Sequence, residues 1–96
     1  MTEKAKIEAK QFLVRGRVQG VGFRWFVRER ASALGVIGWV RNRPDGAVEI
    51  AAEGTPDAID RLRRLVERGP DGAVVSAIDE LGAIDGTLPA SFTILR

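Results

Sequence analysis

The 96-residue chain contains no cysteine and no histidine. Without thiols there is no disulfide framework, no thiolate nucleophile and no zinc site built on cysteine. Without imidazole there is no histidine general base and no phosphohistidine intermediate. Long apolar runs are missing too. No stretch approaches the ~20 residues a membrane span requires, and the charged start (Glu3, Lys4, Lys6, Glu8, Lys10) is unlike a signal peptide. The expectation is a cytoplasmic protein with no membrane partner. A second hydrophobic core would need roughly another hundred residues, so residues 1–96 read as a single domain.

What is present is the composition of an ordinary globule, with 45% hydrophobic and 29% charged residues, enough apolar mass for a core. Net charge is only +2, yet it is unevenly spread. Residues 1–50 carry ten Lys/Arg against five Asp/Glu, and residues 51–96 carry five against eight, so the halves stand at +5 and −3. This asymmetry directs attention to an anion meeting the first half. Twelve of the fifteen cations are arginine, which by itself is as consistent with coding bias as with function.

Period and punctuation give the elements. Residues 7–15 read as a strand, and Gly16-Arg17-Val18-Gln19-Gly20-Val21-Gly22 as a glycine-rich loop. Phe23, Phe26, Val27, Ala31 and Leu34 recur at helical spacing up to Gly35, which predicts an amphipathic helix. Val36 to Arg41 returns to strand character and leads into the turn Asn42-Arg43-Pro44-Asp45-Gly46. In the following strand Val48, Ile50 and Ala52 alternate with Ala47, Glu49, Ala51 and Glu53, which predicts one buried face and one wet face. Thr55 and Pro56 open a second helix with the stripe Ile59, Leu62, Leu65 and Val66, closed by Gly69-Pro70. Two more strands are expected, a weak one at 73–79 and a better one at 91–95. Trp25 is expected to be half exposed and Trp39 to join the core. The sum is β-α-β-β-α-β plus a short edge strand, an α+β, ferredoxin-like split βαβ fold with an antiparallel sheet and two helices on one face.

One constellation stands out chemically. A strand, a glycine-rich loop and a helix start present free N–H groups and the positive end of a helix dipole, and Arg24 can reach back with a planar guanidinium matched to phosphate oxygens. The residues support two readings at this stage, a phosphate cradle or a turn shaped by Gly16, Gly20 and Gly22. The loop is not a Walker A motif, because it ends Gly22-Phe23-Arg24 rather than Gly-Lys-Ser/Thr. Nor is it a dinucleotide fingerprint, since Trp25 stands where glycine is needed. Asn42, flanked by Arg41 and Arg43, either closes its own turn or serves the chemistry. Arg61, Arg63, Arg64 and Arg68 form a solvated helix face without interleaved aromatics, which argues against nucleic-acid binding.

Gly16-Arg17-Val18-Gln19-Gly20-Val21-Gly22-Phe23-Arg24, then Gly38-Trp39-Val40-Arg41-Asn42, then Gly46, Val48 and Gly54, and finally the ending Phe92 to Ile94, together resemble the acylphosphatase family over essentially the whole chain. The resemblance implies hydrolysis of a carboxylic-phosphoric anhydride on a ferredoxin-like fold, without metal or cofactor. It further implies that Arg24 binds the phosphoryl group with backbone N–H groups of Gln19, Gly20, Val21, Gly22 and Phe23, and that Asn42 orients the attacking water. The partner expected is a small-molecule acyl phosphate, with phosphate or sulfate as competing anions, acting on a monomer. The competing expectation is a ferredoxin-like anion- or RNA-binding module without catalysis. Its RNA form would need stacking aromatics on a strand, and no strand here carries that motif.

Overall fold

A computed structural model describes residues 6–82, 84 and 86–96. Glu3 and Lys4 of the charged start, and Ala83 and Asp85, lie outside the described residues. The elements run β1 (Glu8–Arg17), α1 (Phe23–Ala33), β2 (Ile37–Asn42), β3 (Val48–Gly54), α2 (Pro56–Arg68), β4 (Val74–Leu81) and β5 (Thr93–Ile94). They form one sheet of order β4-β1-β3-β2-β5. The first four strands pair antiparallel, and the short β5 joins the edge parallel to β2. This is the ferredoxin-like α+β arrangement expected from the element order.

The register sorts the side chains onto two faces. Phe12, Ile50 and Val40 lie in one row across β1, β3 and β2, and Val14, Val48 and Asn42 lie in the next row. The apolar members of these rows join Phe23, Val27 and Ala31 of α1 and Ile59, Leu62 and Val66 of α2 in one buried cluster. The helices therefore cover this face, and the Thr55 side chain accepts a hydrogen bond from the Ala58 N–H (3.2 Å) to start α2 in place. No helix among the described residues is long and apolar enough to cross a membrane.

Three expectations are corrected. Gly16 belongs to β1 rather than to the loop. It sits at a bulge facing β4 with φ of 127°, where an added Cβ would meet the Val74 carbonyl oxygen at 2.1 Å. Glycine is what lets the two backbones close there. The second correction concerns β3, where Glu49 and Ala51 are buried along with Val48, Ile50 and Ala52. The chain after β4 must travel from one edge of the sheet to the other to form β5, and Leu88 within it is buried outside the main cluster. Leu13 and Ala51 are likewise buried outside that cluster. Thirdly, Trp39 is not in the core. It alternates with Val40, faces away from the helices, stays half-buried, and carries the Arg41 guanidinium 5.0 Å above its ring.

Candidate active site

The loop between β1 and α1 is held by the residues that alternate with its glycines. Val18 and Phe23 are buried at its two ends, and Val21 packs against the core. The Gln19 side-chain amide donates to the carbonyl oxygens of Arg43 (2.8 Å) and Ala47 (3.0 Å), tying the loop to the β2–β3 turn. Between these anchors Gly20 and Gly22 stay exposed, and their Cβ positions would meet no atom of the described residues within 4 Å. Gly22, in the left-handed conformation (φ 73°, ψ 22°), is the N-cap of α1.

The start of α1 differs from that of α2. No side chain caps it and its first turn contains no acidic residue, whereas α2 has Thr55 as a cap and Asp57 in its first turn. The first helical bond runs from the Phe26 N–H to the Gly22 carbonyl (3.0 Å). The preceding N–H groups of Phe23, Arg24 and Trp25 have no protein acceptor among the described residues. Uncapped helical donors carry partial positive charge and are suited to an anion.

These groups open onto a cavity of about 310 Å³ lined by Val18, Gly20, Gly22, Phe23, Arg24, Trp25, Asn42, Ile94 and Arg96. Arg24 is half-buried, and no carboxylate among the described residues pairs with it. Among the described residues the lining contains no acidic side chain. By contrast Arg41 and Arg43 are both engaged with Glu49, at 2.9 and 3.4 Å. Asn42 lies on the helix side of the sheet, and its amide makes no hydrogen bond among the described residues. The turn-closing role open to it is taken by Asp45, whose Oδ1 accepts the Ala47 N–H at 3.1 Å. That bond, aided by the Arg43 guanidinium, holds the Asp45 carboxyl below its ordinary range.

Of the residues singled out in the sequence, Gly20, Gly22, Phe23, Arg24 and Asn42 meet at the cavity, while Gln19 and Val21 support the loop from behind. Sequence reasoning did not assign Val18, Trp25, Ile94 or Arg96 to the lining. Trp25, 58% exposed and off the apolar stripe of α1, was the one with a readable signal. Val18 and Ile94 read as ordinary apolar positions.

The sequence model of the acylphosphatase family matches residues 10–94. An acylphosphatase of Synechococcus sp. (strain WH7803) is 56% identical over 71 residues, covering 74% of this chain and 71% of that protein. The crystal structure of acylphosphatase from Bacillus subtilis superposes with a TM-score of 0.80 at 36% identity, covering 95% of this chain and 100% of that one. The structure of an acylphosphatase from Coxiella burnetii gives 0.85 at 34% identity, covering 93% of each. A match of this extent in sequence and fold leaves one assignment: the chain belongs to the acylphosphatase family, hydrolases of acyl phosphates.

Proposed function

We propose that the cavity between the Gly20–Gly22 loop and Asn42 is where an acyl phosphate is hydrolysed. The observation that carries this reading is the start of α1, left uncapped and free of acidic residues beside an Arg24 without a carboxylate partner among the described residues. A dianionic phosphoryl group fills that vacancy in charge. The N–H groups of the loop and of the first helical turn donate to its oxygens, and the Arg24 guanidinium adds a two-pronged contact. Asn42, across the cavity with an unengaged amide, orients the attacking water.

Water attacks phosphorus in line with the leaving carboxylate. A P–O bond forms, the P–O bond to the acyl group breaks, and its electron pair leaves on the carboxylate. One water proton stays on the new phosphate hydroxyl, and the other passes to a phosphoryl oxygen of the substrate. The products are a carboxylate and dihydrogen phosphate. A carboxylic acid of pKa near ~4 departs as an anion without a general acid, which suits a chain with no histidine. Fixed donors aimed at the three equatorial oxygens stabilise the charge without reorganising. All the named groups belong to one copy of the chain, so a monomer suffices, and phosphate or sulfate competes for the same donors.

The test is hydrolysis of a synthetic aromatic acyl phosphate in the presence of a chelator, followed by absorbance. Acceleration by the wild type and none by Arg24→Ala is the expected result. A wild type that binds phosphate without accelerating hydrolysis would instead favour the non-catalytic anion-binding module.

A further inference from the structure

Glu49 is the second residue of the central strand β3, on the face away from the helices and from the cavity, and is only 3% exposed. A buried carboxylate is costly unless it is paired and hydrogen-bonded. Here it is saturated. Its Oε1 receives Arg41 (Nη2 at 2.9 Å, Nε at 3.0 Å) and Arg43 (Nη1 at 3.4 Å), and its Oε2 receives the side-chain amide of Gln11. Arg41 and Arg43 are the two sequence neighbours of Asn42. Side chains alternate along a strand, so both arginines point to the Glu49 side while Asn42 points through the sheet to the cavity.

We infer that Glu49 is a positioning residue for the hydrolysis: by holding Arg41 and Arg43 on one carboxylate it fixes the end of β2 and thereby aims the Asn42 amide across the sheet. The inference rests on the water-orienting role proposed for Asn42. The need for such a device is local. Asn42 is the last residue of β2, where the strand gives way to a turn; its main chain pairs with Val48 and the next N–H, of Arg43, bonds the Ala47 carbonyl at 2.8 Å, but its side-chain amide has no partner among the described residues to orient it. In-line attack tolerates little error, and a misplacement of about 1 Å costs on the order of a hundredfold in rate. Phosphate binding, by contrast, depends on Arg24 and the loop N–H groups, which Glu49 does not touch. Both arginine side chains keep access to water, at 46% and 39% exposure, and Arg43 retains Asp45 at 3.5 Å when Glu49 is neutralised, although its Nε is buried with no hydrogen-bond acceptor among the described residues.

The experiment compares Glu49→Gln, Asn42→Ala and the double variant for kcat and for inhibition by inorganic phosphate, with thermal melting to establish folding at the assay temperature. Glu49→Gln is expected to lower kcat about ten- to a hundredfold while the phosphate inhibition constant stays within about twofold, and the double variant is expected to be no slower than Asn42→Ala alone. Wild-type kcat in Glu49→Gln, with Asn42→Ala impaired, overturns the role of Glu49 only. Losses that multiply in the double variant, or a phosphate constant that worsens in step with kcat, overturn it too, because they mark a general structural defect. An Asn42→Ala variant with full kcat overturns the reading of Asn42 on which the inference stands. Should Glu49→Gln not fold, Arg43→Met severs one arm while leaving Glu49 paired with Arg41, and the same comparisons apply.

Discussion

The side-chain amide of Gln19 reaches the main-chain carbonyl of Arg43 at 2.8 Å, so the loop facing the cavity and the turn beside Asn42 are joined by a single side chain. The same nitrogen also donates to the Ala47 carbonyl at 3.0 Å. Gln19→Leu keeps the bulk and deletes the donor, leaving two partly buried acceptors short of a partner. Loss of a buried hydrogen bond of this kind costs about 1–3 kcal/mol, which for a domain of this size lowers the melting temperature by roughly 4–8 °C per kcal/mol. Because both sides of the cavity lose their tie, kcat should fall and the phosphate inhibition constant should rise together. An unchanged melting curve with unchanged kinetics would show the staple to be idle.

Arg24 is expected to behave differently. Arg24→Ala should melt near the wild-type temperature, since the side chain is half-buried and makes no ion pair among the described residues. Its phosphate affinity should drop by at least thirtyfold, from the loss of a charge-assisted contact worth about 2–3 kcal/mol. Arg24→Lys should recover only part, because an ammonium offers a point charge in place of the planar fork. Calorimetric titration with inorganic phosphate decides it, and an Arg24→Ala protein that still binds phosphate normally would remove Arg24 from the site.

For Asn42 the split is the reverse. Removing one oriented polar group that acts in the transition state typically costs on the order of 10²–10³ in kcat, with little change in ground-state affinity. Asn42→Ala should therefore titrate phosphate like the wild type and turn over slowly. A raised KM at wild-type kcat would point to substrate binding instead of water orientation.

Two glycines of the same segment separate space from conformation. At Gly16 a methyl group would run into the Val74 carbonyl at 2.1 Å, so Gly16→Ala must prise β4 from β1 and is expected to destabilise severely. Gly22 has a positive φ but open space around its Cβ position. Asparagine visits the left-handed region far more readily than alanine does, so Gly22→Asn should fold with a smaller loss than Gly22→Ala. Chemical denaturation of the three variants gives the ranking, and equal stabilities would contradict it.

The contrast between Gly16 and Gly22 also marks how far the sequence could be read. The helical stripes of α1 and α2, the Thr55 cap and the position of Asn42 beside a turn were all legible, because periodicity and capping are local properties of the chain. The cavity wall was legible where a residue broke its local pattern, as the glycines and Trp25 do. What escaped were consequences of long-range pairing. The bulge at Gly16 depends on β4, some sixty residues away in sequence. Glu49 is buried among partners from β1 and the end of β2, Gln11, Arg41 and Arg43, so alternation in β3 gave the faces correctly and their solvation wrongly. Trp39 is the same error in mirror image, an aromatic placed by its neighbour Val40 on the side away from the helices.

Acid should act on the fold and on the chemistry through different groups. The Asp45 carboxyl is held below its ordinary range chiefly by the Ala47 N–H, with the Arg43 charge assisting. A depressed carboxyl contributes stability in full above its unfolded value, about 4, and loses it as pH falls through the lower folded value. The melting temperatures of wild type and Asp45→Ala should thus differ by a constant amount from pH 8 to about 5 and converge below pH 4. A gap that persists unchanged to pH 3 would mean the carboxylate form is not what closes the turn. Activity, in contrast, has no histidine or cysteine to titrate between pH 5 and 8. Its inflection should follow the second ionisation of the substrate phosphate, near ~6. Changing the acyl group should move that inflection, and Asp45→Ala should leave it in place. An inflection that stays fixed across substrates of different acidity would assign it to the protein and would require a titrating group that the proposed chemistry does not contain.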